Sequence, residues 1–446
     1  MTSMGLTISE RLDRLSINAF HKRLFAVVAV GMFFEGFDIY LAASVLGDTY
    51  KSGFSTLAQN GLFISATFVG MTIGALGSGF LGDRIGRKRI YQWNLLLFGA
   101  AAVASIFAPN MTWLIVLRFI MGIGIGAENV VGYSIITEFF PASVRGRWLG
   151  YIATAVSAGL PASALLAYLF LPTFGWQVMF VFGGFGALIA WLLRRELPES
   201  PRWLASVGRH AEAEALLLKI EAAGSVAPGN SAASGVKSKD DMPLETGVFV
   251  RNMVAGSIAL MAVNTLIYGF IVWLPTFMVG QGETIARSSA FALVMSVGGL
   301  LGSFVGGWCA DLLGRRPTII GAGALVIVLA LAFSTTTDPV LMPVLGFFLT
   351  LPIYVLVAVL FAVYVPELFN TKTRLRGVGV CNASGRAVSI LVPLVIGPVF
   401  ASHGVSGVLI IMSVAIVAMV AAVGLIGKGA SRKAAKPTEV ASSQAP

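Results

Sequence analysis

The chain has 446 residues, of which 57% are hydrophobic and only 12% are charged, and its formal net charge is +10. Soluble proteins carry about 25% charged residues, so this composition does not supply the polar surfaces that a soluble enzyme of this length needs. It also excludes a disordered protein, and the two cysteines, which lie in apolar stretches without a CxxC or Cys/His neighbour, exclude a disulfide framework and a zinc site.

Apolar runs long enough to cross a bilayer, which takes about 20 residues per helix, follow one another along the chain. There are twelve of them, near residues 22–46, 57–81, 88–108, 111–133, 148–170, 174–194, 251–279, 288–310, 317–336, 339–364, 377–400 and 404–427. The first is not a cleaved signal peptide, because it continues through Leu46 and has no small-residue cleavage site. The sequence therefore predicts an all-α polytopic membrane protein with twelve transmembrane helices.

The basic residues predict how these helices are oriented. Lys51 and Arg287 are alone in the loops on one side, Arg118 and Arg386 lie within spans, and the other Lys and Arg residues fall on the opposite side. By the positive-inside rule, those loops and both termini are cytoplasmic, and a bacterial inner membrane fits the short loops. The charge of +10 is mostly a topology signal, with attraction to anionic lipid second, and does not indicate nucleic-acid binding.

The two halves of the chain repeat each other. Six residues of the first half recur 228 residues later, namely Gly70, Gly74, Gly79, Asp83, Gly86 and Arg87. Four more recur 229 residues later, namely Glu138, Phe140, Arg145 and Arg147. The repetition predicts a duplicated transporter with its substrate between the halves, near the midplane. The predicted domains are an N-terminal six-helix bundle (1–197), a cytoplasmic linker (198–250) that becomes Gly/Ser/Ala-rich after Ala222, a C-terminal bundle (251–428) and a cytoplasmic tail (429–446).

Several motifs resemble those of a known family. The sequence Gly-Asp-Arg-Ile-Gly-Arg-Lys-Arg occupies residues 82–89, with a weaker copy at 310–316. Leu-Arg-Phe at 117–119 is followed by Gly122, Gly124 and Gly126, and Pro-Glu-Ser-Pro-Arg occupies 198–202. Across residues 20–427 the chain resembles the major facilitator superfamily. The resemblance implies two pseudo-symmetric six-helix bundles, transport by alternating access and no enzymatic activity.

The charged residues of these motifs are predicted to form a cytoplasmic gate. In the family, the loop motif acts as a latch that breaks when the cytoplasmic side opens; the simpler interpretation is positive-inside anchoring. Solvated ion pairs contribute little stability in any one state, so their use would lie in the difference between states. The predicted gate residues are Gly82, Asp83, Gly86, Arg87, Lys88, Glu138, Arg145, Arg147, Asp311, Arg315, Arg316, Glu367, Arg374 and Arg376.

Charged side chains inside predicted spans are costly and therefore mark function. Glu35 and Asp38 are three residues apart on one helical face, and two carboxylates that close in a low dielectric repel each other, which favours proton binding; Asp38 could instead pair structurally. Arg118 can grip a substrate carboxylate with two parallel hydrogen bonds, or form a buried pair with Asp38 or Glu35. Glu128 is either a second protonation site or part of the inner gate.

Arg386 lies near the middle of span eleven, with Asn382 one turn before it on the same face. The second half has no intramembrane acid to neutralise this arginine, so we predict that it binds an anionic substrate. Asn264, Tyr268 and Trp273 in span seven are further candidates for the cavity, although such residues also hold helices together. No catalytic or phosphate-binding motif is present and the histidines lack metal-ligand spacing, so neither a cofactor nor a metal is expected.

The motif of residues 35–38, Glu-Gly-Phe-Asp, resembles the Asp-Gly-x-Asp motif of aromatic-acid:proton symporters. That resemblance implies Asp38 as the coupling acid and Arg118 and Arg386 as carboxylate ligands. Glu in place of the first Asp, and Gly-Ala-Glu at 126–128, look more like metabolite:proton and sugar-porter-like branches. We therefore predict a monomeric proton symporter of a small organic anion, such as a benzoate-like acid, a nicotinate-like acid or a dicarboxylate. A sugar or polyol porter, an exporter of a drug-like compound and a non-transporting receptor are the alternatives.

Overall fold

The computed structural model of the protein describes residues 7–222, 246–336, 338, 341–369 and 374–426, without the side chains of residues 79, 83, 142, 143, 146, 311, 374–376 and 426. Nearly all of this part of the chain is helical. In chain order the helices are α1 (Ile8–Asp13), α2 (Ala19–Lys51), α3 (Leu57–Ile85), α4 (Arg87–Ser105), α5 (Met111–Phe139), α6 (Ala142–Phe174), α7 (Gln177–Leu193), α8 (Pro201–Ser206), α9 (His210–Ala222), α10 (Thr246–Leu266), α11 (Leu274–Gly280), α12 (Ile285–Leu312), α13 (Arg315–Thr335), α14 (Leu341–Ala358), α15 (Val365–Glu367) and α16 (Arg374–Ala421).

Within the described residues, ten helical runs are long and apolar enough to cross a membrane. One of them, Gly377–Leu425, is bent at Gly404, where φ is 64°, and so contains two spans. The 19-residue α4 adds another span, which is less hydrophobic because it begins with Arg87, Lys88 and Arg89. The prediction of twelve transmembrane helices is thereby confirmed.

Capping residues and glycines set where the helices begin and end. The Thr56 hydroxyl accepts a hydrogen bond from the backbone N–H of Gln59 at 3.2 Å, and the Gln59 side chain accepts one from the backbone N–H of Thr56 at 2.9 Å, which caps the start of α3. Gly86 adopts a φ of 100° between α3 and α4, and Gly314 a φ of 93° between α12 and α13. Glycine reaches this region without steric cost, so the repeated glycine turns the chain at equivalent places in the two halves.

The repeated glycines also bring helix backbones into contact. A methyl group added at any of four glycines would collide with a carbonyl oxygen of a neighbouring helix. The contacts are Gly70 with Phe119 and Gly74 with Ile123 between α3 and α5, and Gly298 with Phe347 and Gly302 with Leu351 between α12 and α14. Each pair of the second half lies 228 residues after its counterpart, so the two bundles are packed in the same way. The surroundings of Gly79 lie outside the described residues.

The two halves touch each other at one end of the bundle. We call the end at which α2, α4, α6 and α10 begin the basic end, and the other end the opposite end. Near the opposite end, a methyl group at Gly61 of α3 would lie 2.6 Å from the carbonyl oxygen of Pro393 on α16. The Ser65 hydroxyl donates a hydrogen bond to the carbonyl oxygen of Ile390 at 2.7 Å. Backbone-to-backbone packing of this kind leaves no room for a solute between α3 and α16.

Part of the predicted linker is ordered against the first half. Helices α8 and α9 pack on α1, whose Leu12 is buried. Arg11 of α1 donates hydrogen bonds to both carboxylate oxygens of Glu221, at 2.9 and 2.6 Å, and pairs with Glu214. The Gly/Ser/Ala-rich part of the linker, from residue 223, and the tail 429–446 lie outside the described residues, so the predicted domain limits stay predictions.

Candidate functional site

A buried ion pair joins three helices of the first half. Arg118 of α5 pairs with the Asp38 carboxylate of α2, and its Nη2 donates to the backbone carbonyl of Asp38 at 2.9 Å. The Arg118 Nε donates to the Thr67 hydroxyl of α3 at 2.9 Å. Of the predicted alternatives for Arg118, the structure shows the pair with Asp38. Within the described residues, the second carboxylate oxygen of Asp38 has no hydrogen-bond partner although it is buried.

Sequence analysis missed the second buried pair. Arg194, which we had assigned to the cytoplasmic loops, directs both Nη groups onto the Glu128 carboxylate, with Nη1 donating at 2.7 Å, and neither side chain is exposed. Asn94 donates to the same carboxylate at 3.1 Å, and the guanidinium lies 3.8 Å from the centre of the Tyr91 ring. Arg194 falls just beyond an apolar run and so looks like a loop residue. Glu128 was the available signal, because an intramembrane acid needs a partner.

Glu35 lacks such an arginine. Although Glu35 and Asp38 are three residues apart on α2, they contact different side chains of α5. The Asn129 amide donates to Glu35 Oε1 at 2.7 Å, while Glu35 Oε2 is buried and has no hydrogen-bond partner among the described residues. Charges on Glu128, Arg194 and Arg386 act on this carboxylate. Glu35 is therefore a buried acid whose charge is not compensated by a direct ion pair.

Arg386 lies on α16, in the other half. Its side chain is half-buried, and within the described residues it makes no hydrogen bond or ion pair. Its charge acts on Glu35 and on Tyr268, which lies in the π-helical segment Ile267–Ile271 between α10 and α11. The Tyr268 ring packs edge-on against Phe68 of α3, with 4.3 Å between ring centres. Three of the predicted site residues, Glu35, Tyr268 and Arg386, are thus brought together across the two halves.

The other predicted substrate ligands are occupied or packed away. The Asn382 amide donates to the backbone carbonyl of Val378 at 2.9 Å. The Asn264 side chain donates to the carbonyl of Leu260 at 2.7 Å and accepts from the Ser389 hydroxyl at 3.0 Å. Trp273 is fully buried and stacks on Phe277, with its ring N–H unpaired among the described residues. These side chains hold α10, α11 and α16 together.

Two tyrosines that sequence analysis did not single out bridge the halves near this site. The Tyr354 hydroxyl of α14 donates to the Tyr40 hydroxyl of α2 at 3.4 Å. Tyr40 also lines a cavity between the halves whose other polar groups are hydroxyls. The lining residues are Tyr40, Ser44, Ser163, Ser296 and Thr350, with Ala43, Leu160, Ala164, Ile271, Val272, Leu274, Ala292 and Met295. Tyrosine in an apolar run gives no periodic signal, so only the fold reveals the cluster.

At the basic end, the predicted gate residues form ion pairs within each half. Arg87 Nε donates to Glu138 at 3.0 Å, and Arg315 Nε donates to Glu367 at 3.1 Å, at equivalent places in the repeat. Arg147 is exposed, and Lys88 and Arg316 are half-buried. The side chains of Asp83, Asp311, Arg374 and Arg376 lie outside the described residues. The gate is therefore built from one ion pair per half in the part of it that is described.

The motif at 198–202 supports the same end. The Glu199 carboxylate accepts hydrogen bonds from the backbone N–H groups of Arg87 at 2.9 Å and Lys88 at 3.2 Å, which caps the start of α4. Arg202 and Arg145 both donate to Asp13 of the N-terminal segment, at 2.9 and 3.3 Å. Burial and the neighbouring Arg202 charge lower the pKa of Arg145. The N-terminal segment is thus tied to the gate by charge.

Comparison with known proteins decides the family. A family model described as Major Facilitator Superfamily matches residues 28–393. The chain belongs to the major facilitator superfamily. It is 34% identical over 433 residues to the inner membrane metabolite transport protein YdjE of Escherichia coli K12, covering 94% of this chain and 95% of that protein. It is 31% identical over 402 residues to the niacin transporter NiaP of Acinetobacter baylyi, covering 89% and 91%.

The fold is that of other major facilitators. A structure titled as the partially occluded inward open conformation of the xylose transporter XylE from E. coli matches with a TM-score of 0.70 and 20% identity, over 91% of this chain and 97% of that one. At this identity the likeness is one of fold. The protein is an integral membrane transporter with twelve helices in two pseudo-symmetric bundles, and not an enzyme.

Proposed function

We propose that this major facilitator transports a small organic anion, an aromatic or other carboxylic acid, together with a proton. The observation that carries the proposal is Arg386, which is half-buried between the halves and has no polar partner among the described residues. Arginine keeps its charge in proteins and binds carboxylates with two parallel hydrogen bonds. A charge in this position needs a counter-ion, and a transported anion supplies one.

Three buried acids are available to take up the proton. Glu35 and Asp38 each have one carboxylate oxygen without a hydrogen-bond partner in the described part of the chain, whereas Glu128 has both oxygens bonded. Uptake of a proton by any of them changes the charge balance of the interior, where charge is costly. Proton binding is therefore coupled to whatever else neutralises the interior, which includes the anion.

Transport proceeds by alternating access in this proposal, as residues 1–197 rock against residues 251–446. We assign the basic end to the cytoplasm of a bacterial cell, in the inner membrane, with both termini cytoplasmic, because of the excess of Lys and Arg there. The backbone contacts between α3 and α16 close the opposite end, which then faces outward. Arg87 with Glu138 and Arg315 with Glu367 stay within their halves in this state and change partners when the cytoplasmic side closes. The transporter works as a monomer.

The niacin transported by one relative is an aromatic monocarboxylic acid, which makes nicotinate and benzoate the first substrates to test. The protein is reconstituted into liposomes and given labelled acid with an inside-alkaline pH gradient. Accumulation that a protonophore abolishes is the expected result. Accumulation of a neutral sugar such as xylose, with none of either acid, would support the sugar-porter alternative and contradict the proposal.

A further inference from the structure

The charged side chains in the interior of the described bundle balance in number. Away from its two ends there are three acids and three arginines, namely Glu35, Asp38, Glu128, Arg118, Arg194 and Arg386. Four of them form the two buried pairs, Asp38 with Arg118 and Glu128 with Arg194. Glu35 and Arg386 are left over. They have opposite charge, lie in different halves of the transporter and act on each other electrostatically.

The surroundings of Glu35 do not otherwise stabilise a negative charge. Its side chain is 1% exposed, and its one hydrogen bond among the described residues is from the Asn129 amide. A buried carboxylate oxygen without a donor is costly. Titratable or charged groups that act on Glu35 or that it acts on are Tyr91, Glu128, Tyr133, Arg194, Tyr268 and Arg386.

Of these groups, Arg386 is the cation with charge to spare. Arg194 already directs two nitrogens onto the Glu128 carboxylate. The remaining helices packed on α2 offer no charge at their closest contacts, since α6 presents Val156 at Gly36 and α11 presents Pro275 at Gly47. The charge of Glu35 is therefore balanced across the interface between the halves, and not within its own half.

We propose that Glu35 and the substrate carboxylate neutralise Arg386 in turn, which rests on the proposed function. When Glu35 is ionised, it balances Arg386 and the empty transporter has a neutral interior. When Glu35 takes up a proton, Arg386 is free to bind one carboxylate, and the interior is neutral again. Anion bound with Glu35 ionised, or no anion with Glu35 protonated, leaves one uncompensated charge in a low dielectric, which disfavours the movement of the halves.

Two properties of transport follow. One proton crosses with each carboxylate group bound at Arg386, so the cycle moves no net charge with a monocarboxylate. A dicarboxylate brings a second negative charge for which the interior has no free arginine, because Arg118 and Arg194 are paired. The substrate class is therefore narrowed to monocarboxylates. Asp38 holds Arg118 between α2, α3 and α5, and Glu35 is the acid that exchanges its proton with the substrate.

The test of the exchange is nicotinate binding to purified protein as a function of pH, between about pH 6 and pH 8, where nicotinate itself stays ionised. Affinity of the unaltered transporter should fall as pH rises, approaching tenfold per pH unit, the slope of one linked proton. Glu35→Gln should bind with the low-pH affinity throughout. Glu283→Gln, an acid near the opposite end that pairs with Arg287, is the matched control and should keep the pH dependence. Unchanged pH dependence in Glu35→Gln would overturn the proposal.

A second measurement uses the unaltered transporter, so it does not depend on the folding of a variant. Nicotinate transport should generate no net current across a supported membrane, and quinolinate, the corresponding dicarboxylate, should compete at least tenfold more weakly than nicotinate. A steady current with nicotinate, or equal competition by quinolinate, would overturn the exchange at Arg386 while leaving anion transport in place. Absence of binding by every acid would instead overturn the proposed function, and the exchange with it.

Discussion

Asp38 of α2 and Arg118 of α5 form an ion pair whose side chains are 0% and 1% exposed. Both charges have left water, so each depends on the other for its stabilisation. A second pair, Glu128 with Arg194, repeats this arrangement closer to the basic end. The first half of the transporter is thus held together by charge in its interior, while the second half keeps one arginine for use.

Removal of one member of the Asp38 pair should destabilise the protein strongly. Asp38→Asn leaves the Arg118 charge buried without a counter-ion, which costs about 3–5 kcal/mol when one partner of a buried pair is removed. The double variant Asp38→Asn with Arg118→Gln removes both charges and should recover much of the loss. Thermal unfolding in detergent measures both. A double variant less stable than Asp38→Asn alone would show that the pair does not carry this stability.

Asp38→Asn also separates the two acids of α2. Because we assign the exchanged proton to Glu35, the folded fraction of Asp38→Asn should still bind nicotinate more tightly at low pH than at high pH. Binding isotherms at two pH values suffice. Loss of that pH dependence in Asp38→Asn, with its retention in Glu35→Gln, would move the coupling role to Asp38.

The Glu128 pair offers an asymmetric test. A carboxylate left without its arginine can bind a proton, whereas a guanidinium left without its acid keeps its charge. Glu128→Gln should therefore destabilise the protein more than Arg194→Met, and lowering the pH should partly restore Arg194→Met but not Glu128→Gln. Arg195→Gln, an exposed neighbour, is the control and should have little effect. Equal loss in Glu128→Gln and Arg194→Met at all pH values would contradict this explanation.

Two neighbouring glycines of α12 test the packing between helices. A methyl group at Gly302 would collide with the Leu351 carbonyl, while nothing lies within 4 Å of a methyl group at Gly307. Gly302→Ala should destabilise the protein by about 1–3 kcal/mol, as overpacking does. Gly307→Ala should be neutral or stabilise it by about 0.5–1 kcal/mol, because alanine suits a helix better. The unfolding temperatures of the two variants should move in opposite directions or differ clearly; a common shift would mean that the contact is not tight.

The sequence predicts the backbone of this protein better than its site. Glycine spacing is a direct record of where two helices must approach, so Gly74 and Gly302 indicated the packing before the fold was known. The partner of a charge is not recorded in the same way. Arg194 lies beyond an apolar run, and it becomes an interior residue only because α7 ends beside Glu128. Likewise, the spacing of Glu35 and Asp38 predicts a common face, but their partners depend on which residues α5 presents.

Binding of nicotinate and of its uncharged analogue nicotinamide to Arg386→Gln tests the anion site most directly. The unaltered transporter and the control Arg287→Gln, which changes an exposed arginine near the opposite end, should bind nicotinate well and nicotinamide weakly. Arg386→Gln should lose at least tenfold in affinity for nicotinate, with its weak binding of nicotinamide unchanged. Nicotinate binding by Arg386→Gln equal to that of the unaltered transporter would show that Arg386 does not hold the substrate carboxylate.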